Sequence, residues 1–111
     1  MEEWVTALRS GKYPQTRCTL ADEDGFCCLG VLCDIVNPNA WEQYDEDGIL
    51  HWYGETKRLP DRVMTEAGIL SGSFPTVLYY GKPIGLHELN DSELLTFNDI
   101  ADLIEQQYEE I

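Results

Sequence analysis

Basic residues are scarce in this sequence. Seven Lys and Arg face twenty-one Asp and Glu, for a formal net charge of -14. A general nucleic-acid binder needs a basic face to release counterions from phosphate, so the balance argues against direct nucleic-acid binding. It argues equally against docking on an anionic membrane. Long apolar runs are also missing. The most apolar stretch, Phe26 to Cys33, is far too short to span a bilayer. The first residues, Met1-Glu2-Glu3-Trp4, have neither the basic start nor the apolar stretch of a signal peptide. These absences predict a soluble intracellular protein. In a reducing compartment the four cysteines (Cys18, Cys27, Cys28, Cys33) are expected as free thiols. No linker or low-complexity stretch divides the chain, so residues 1–111 read as one domain.

Apolar residues are present in ordinary measure, at 43% of 111 residues. A chain of this size buries about two-thirds of its surface, enough for one core without disulfide staples. Trp4, Val5, Ala7 and Leu8 form a helical stripe that Ser10-Gly11 ends. Asp-Glu-Asp-Gly occurs twice, at Asp22 and at Asp45, and reads as a turn each time. The second copy leads into Ile49 to Tyr53, the best strand candidate. Cys27 to Val36 is apolar almost all round, which predicts a buried central helix stopped by Asn37-Pro38. Gly30 inside it costs about 1 kcal/mol against alanine, so close approach of another backbone is expected there. A third helix starts at Leu59-Pro60-Asp61 and ends at Gly68. Thr76 to Tyr80 reads as a strand, and Gly81-Lys82-Pro83 as a turn. Thr96 and Asp99 form a capping-box pattern. After it, Phe97, Ile100, Ala101, Ile104 and Tyr108 share one helical face, with Asp99, Asp102, Glu105 and Glu109 outside it. The expected class is α+β, with about four short helices around a small antiparallel sheet.

Four segments carry a resemblance. They are Trp4-Val5-x-Ala7-Leu8-Arg9-Ser10-Gly11-Lys12-Tyr13-x-Gln15, Phe26-Cys27-Cys28-Leu29-Gly30-Val31-Leu32-Cys33-Asp34, and Leu59-Pro60-x-x-Val63 with Ala67-Gly68-Ile69. The fourth is Leu86-x-x-Leu89-Asn90-Asp91 followed by Phe97-x-x-Ile100-Ala101-x-x-Ile104-Glu105. In this order they resemble a family of small, largely uncharacterised proteins encoded by bacteriophages, prophages and some bacteria. Two departures stand out: Glu66 replaces a usual tryptophan, and Ser92-Glu93 stands where a glycine is common. The resemblance implies a phage origin and carries over no catalytic residue.

The residues fit several chemistries to different degrees. Zinc fits poorly: there is no Cys-x-x-Cys pair, and only His51 and His87 could complete a ligand set. No metal and no cofactor is expected. Calcium fails as well, since position 12 of the two acidic loops is Cys33 or Thr56 instead of glutamate. A nucleophilic thiol is conceivable at Cys27 or Cys28, where a helix begins, with His51 as the base. The acidic last helix could mimic nucleic acid. The few bases are the most informative residues. They fall in two islands, Arg9, Lys12 and Arg17, then Lys57, Arg58 and Arg62, each near aromatic rings. Guanidinium with a stacking ring suits a nucleotide. The bland alternative pairs these bases with local acids such as Glu55 and Asp61.

The expected site therefore has Arg9, Lys12 and Arg17 as its basic wall, Arg58 from the second island, and Trp4, Tyr13 or Trp52 as the stacking face. The expected function is a non-enzymatic, phage-encoded counter-defence protein of the host cytoplasm. It would sequester a small anionic nucleotide-type signal, cyclic or ADP-ribose-like, as a homo-oligomer. The alternatives are an acidic inhibitor or nucleic-acid mimic of a host defence protein, and a small cysteine-dependent hydrolase.

Overall fold

The computed structural model describes residues 2–70, 72–92, 95–107 and 111. Met1, Glu93, Tyr108 and Glu109, named above, lie outside the described residues. Helix α1 spans Glu2–Arg9 and buries Trp4 and Leu8, one turn apart on a single face. Its acids Glu2 and Glu3 stand in the first turn, where the helix dipole favours them. Helix α2, Cys28–Val36, is the middle of the core, with Cys28 to Cys33 all buried. It packs against α1 and against two later helices, α3 (Asp61–Ala67) and α4 (Leu86–Asp91). A hairpin precedes it, β1 (Ala21–Asp22) and β2 (Gly25–Phe26). The Asp22 carboxylate closes this hairpin by accepting the Asp24 and Gly25 N–H groups at 2.8 and 3.2 Å.

The second hairpin joins β3 (Thr76–Tyr79) to β4 (Lys82–Gly85). Tyr80 and Gly81, at φ 51° and 79°, make the two-residue turn that matches strand twist. The turn therefore lies earlier than expected, and Lys82-Pro83 belongs to a strand. Helix α5, Phe97–Gln107, lies on α1 and β3. Its N-terminus carries the expected box: Thr96 N–H donates to the Asp99 carboxylate at 3.0 Å, and Asp99 N–H donates to Thr96 Oγ1 at 3.3 Å.

The fold is α+β around one hydrophobic core, as the sequence predicts. It departs from the expectation in three further places. The strands form two separate two-stranded sheets, not one. Ile49 to Tyr53 is not a strand: Ile49 and Trp52 make only isolated bridges, to Asp22, Trp41 and Glu55. Tyr53 (φ 47°) and Gly54 (φ 84°) reverse the chain immediately after Trp52, so no ladder can extend. Helix α4 was not expected, because six residues carry too little periodicity to register.

Candidate functional site

The site is built around Asn90 and Asp91 at the end of α4. Asn90 is fully buried. Its Oδ1 accepts the Cys28 N–H at 3.1 Å, satisfying a free donor at the start of α2. Its Nδ2 donates to the Thr16 carbonyl at 2.9 Å. Asp91 accepts the Cys18 N–H at 2.7 Å. That bond helps to hold Cys18 in the left-handed region, at φ 71°. The same loop is tied on its other side: Thr16 N–H donates to Phe26 O at 2.8 Å, and Thr19 Oγ1 to Thr56 O at 3.0 Å. The Thr56 tie brings the segment carrying Lys57 alongside.

These ties enclose a cleft of about 330 Å³ lined by Cys18, Thr19, Cys27, Lys57, Phe74, His87 and Asp91. The Phe74 ring lies on the His87 imidazole with centroids 4.5 Å apart. His87 Nδ1 is buried and makes no hydrogen bond. The ring sits so close over Gly85 that a Cβ there would approach Nδ1 to 2.7 Å, which explains the glycine. Lys57 has no carboxylate partner among the described residues.

Three thiols, Cys27, Cys28 and Cys33, are buried core groups, while Cys18 is exposed at the cleft. Cys27 caps α2, with Sγ accepting the Gly30 N–H at 3.4 Å. Burial nevertheless dominates and pushes its pKa up to about 12. Burial also raises the Cys28 and Cys33 thiols. The expected base, His51, is engaged by Asp45 at 2.8 Å in the second acidic turn and does not line the cleft. The imidazole in the cleft is His87, which the sequence marks only as a candidate zinc ligand. Its one signal was its place between Leu86 and Leu89. Among the described residues no group of three or more His, Cys, Asp or Glu could hold a metal ion.

The structure separates the residues expected to form the ligand site. Trp4 and Trp52 are both 0% exposed. Their indole N–H groups donate to Cys28 O at 2.8 Å and Asn37 O at 3.1 Å. Neither ring has a face to offer, which corrects their assignment as stacking surfaces. Arg9 is held by Asp102 at 2.8 Å and Glu105 at 3.1 Å, and Arg58 by Glu55 at 3.1 Å. Arg62 pairs with Glu66 at 3.7 Å and lies 5.7 Å from the Tyr53 ring centroid. Tyr13 is half-buried, edge-on to Phe26, and its hydroxyl donates to Asp34 at 2.6 Å. Burial, then that hydrogen bond, pushes its pKa up to about 12. Lys12 and Tyr13 line a separate open hollow of about 480 Å³, with Glu2 and Glu3 on its rim. Arg17 keeps a buried Nε without a hydrogen bond. Lys12 and Tyr13 are thus together, Lys57 is in the cleft, and Arg9, Arg17 and Arg58 line neither.

The fold and cleft define a small, strongly acidic α+β protein. Its Asn-Asp clasp pins a loop and a helix start together beside the cleft. The chain belongs to the family described as Domain of unknown function (DUF8296), which matches residues 1–108. No curated protein and no solved structure matches the chain. No helix among the described residues is long and apolar enough to cross a membrane.

Proposed function

We propose that this protein is a phage-encoded, non-enzymatic counter-defence protein that sequesters a small anionic nucleotide-type signal in the host cytoplasm. The observation that carries the reading is the company kept in the cleft. An ammonium without a carboxylate partner among the described residues (Lys57), an imidazole (His87) and a 41% exposed ring (Phe74) line one cavity. A nucleotide brings a complement to each: a phosphate, a donor or acceptor on the base or sugar, and an aromatic plane. The cleft therefore replaces the N-terminal island as the ligand site, and Lys57 replaces Arg9 as its leading cation. Sequestration needs affinity alone. A cleft of about 330 Å³ lies at the small end of ligand pockets, so a second copy is expected to help enclose the ligand.

The alternatives draw less support. Asp102 and Glu105 are committed to Arg9, and Asp99 to the α5 cap, which weakens the case for a free acidic mimic. A cysteine hydrolase needs a thiolate, and burial disfavours one at Cys27.

The test is native mass spectrometry of protein taken from phage-infected cells, then calorimetry with AMP, ADP-ribose and cyclic dinucleotides. Lys57→Ala is expected to weaken binding about 10- to 100-fold, the scale of one charge-assisted hydrogen bond, with an unchanged melting temperature. Absence of nucleotide binding by the wild type, or binding indifferent to both Lys57→Ala and His87→Ala, would refute the reading.

A further inference from the structure

A third concavity shares no lining residue with the cleft and has Glu2 and Glu3 in common with the Lys12–Tyr13 hollow. It lies where α1 begins and where α2 and α3 end, with a volume of about 500 Å³. Its floor is apolar and includes Ile35, Val36 and Ala67, each only partly buried against the core. Its rim carries Glu2, Glu3 and Glu66. Among the described residues Glu66 alone of the three is in an ion pair, with Arg62 at 3.7 Å, both side chains being more than half exposed; Lys12 shares the adjoining hollow with Glu2 and Glu3.

Two helix ends sharpen the negative character. The last turns of α2 and α3 contain no basic residue. The C-terminal carbonyls of a helix carry partial negative charge, and Lys or Arg in the last turn ordinarily balances it. Here two such ends and three carboxylates meet around an apolar floor.

We propose that this groove is a docking site for a basic, amphipathic segment of a partner protein. The occupant follows from charge and shape complementarity. A Lys or Arg side chain can lay its aliphatic stem on Ile35 and Val36 while its head meets the carboxylates and helix ends. An adjacent apolar residue of the same segment covers the rest of the floor, as an amphipathic helix does in a groove. The net charge of -14 speeds encounter with such a partner and repels acidic ones. A free polyamine satisfies the carboxylates and leaves the floor uncovered.

The probe is a fluorescein-labelled 14-residue peptide with Leu and Arg on adjoining helical stripes, read by fluorescence anisotropy. Its controls are a scrambled peptide of identical composition and spermidine as competitor. Two charge-reversed proteins have the same net charge: Glu3→Lys with Glu66→Lys at the groove, and Glu46→Lys with Asp47→Lys in the remote acidic turn. The striped peptide is expected to lose about tenfold or more in affinity for the groove variant and to bind the remote variant within about twofold of wild type. Val36→Ser should also weaken it, because part of the affinity comes from the floor. If the Lys pair fails to fold by thermal melt, Glu3→Gln with Glu66→Gln takes its place. Equal loss in both charge variants, equal binding of the scrambled peptide, or displacement by spermidine as readily as by unlabelled peptide would overturn the proposal.

Discussion

At Gly30 the carbonyl oxygen of Leu20 passes so near α2 that a Cβ on residue 30 would overlap it. The obstacle is backbone, which cannot swing aside like a side-chain tip. Leu20 is itself tied, its N–H to Thr56 O and its carbonyl to the Cys27 N–H. Gly30→Ala is therefore expected to cost about 2–3 kcal/mol, as overpacking does in a filled core, although alanine favours helix elsewhere. Urea denaturation checks it, and an unchanged midpoint would rule out the close approach. This residue was legible because glycine is expensive inside a helix and needs a reason. The tryptophans were misread because proximity to a base in sequence does not say which way a ring faces. Trp4 shares a helical face with Leu8, which marks it as core. Lys57 and His87 carried no such mark, since their meeting depends on contacts between segments about thirty residues apart.

At the scale of elements, the longest periodic segments were the most legible. Helices α1, α2, α3 and α5 follow from stripes, caps and stop residues in the sequence. The box on α5 is reciprocal, each partner satisfying the other's backbone N–H. Thr96→Ala is expected to destabilise by about 1 kcal/mol, and circular dichroism melts of wild type and variant check it. A variant as stable as wild type would mean that the box contributes nothing. Short strands were hard to read because their pairing depends on distant partners. Strand β3 was the exception, read as Thr76 to Tyr80, and α5 holds its outer edge: the Gln107 carboxamide accepts the Leu78 N–H at 2.7 Å and donates to the Leu78 carbonyl at 2.8 Å. One side chain thus caps the outer edge of β3, while Pro83 on β4 offers no donor to an incoming strand. Arg9, bridging to Asp102 and Glu105, ties α1 to α5. Neutralising those acids would strip a fold contact as well as a charged face, so loss of function in such a variant would not by itself identify a mimic.

Across the whole molecule, acidic excess and buried thiols set opposite ends of the pH response. The acid excess repels itself at neutral pH. The buried thiols are expected to shape the alkaline end. Cys27 rises from an ordinary 9.0 to about 12, Tyr13 rises from 10.0 to about 12, and burial moves Cys28 and Cys33 in the same direction. A folded pKa above the unfolded one means that the native state holds its proton more tightly. Below pH 9 both states are protonated and the contribution is fully present. Above it the unfolded thiols ionise first, and stability falls by about 1.4 kcal/mol per pH unit for each buried thiol until the folded pKa is reached. Urea midpoints at pH 7, 9, 10 and 11, in 0.5 M NaCl to screen the acidic surface, should stay level to pH 9 and then drop steeply. Cys33→Ala should be less stable at pH 7 because it leaves a cavity, yet lose less on going from pH 9 to 11, since one ionising group is gone. A level midpoint through pH 11, or an equal alkaline slope in Cys33→Ala, would show that the buried thiols do not control this transition.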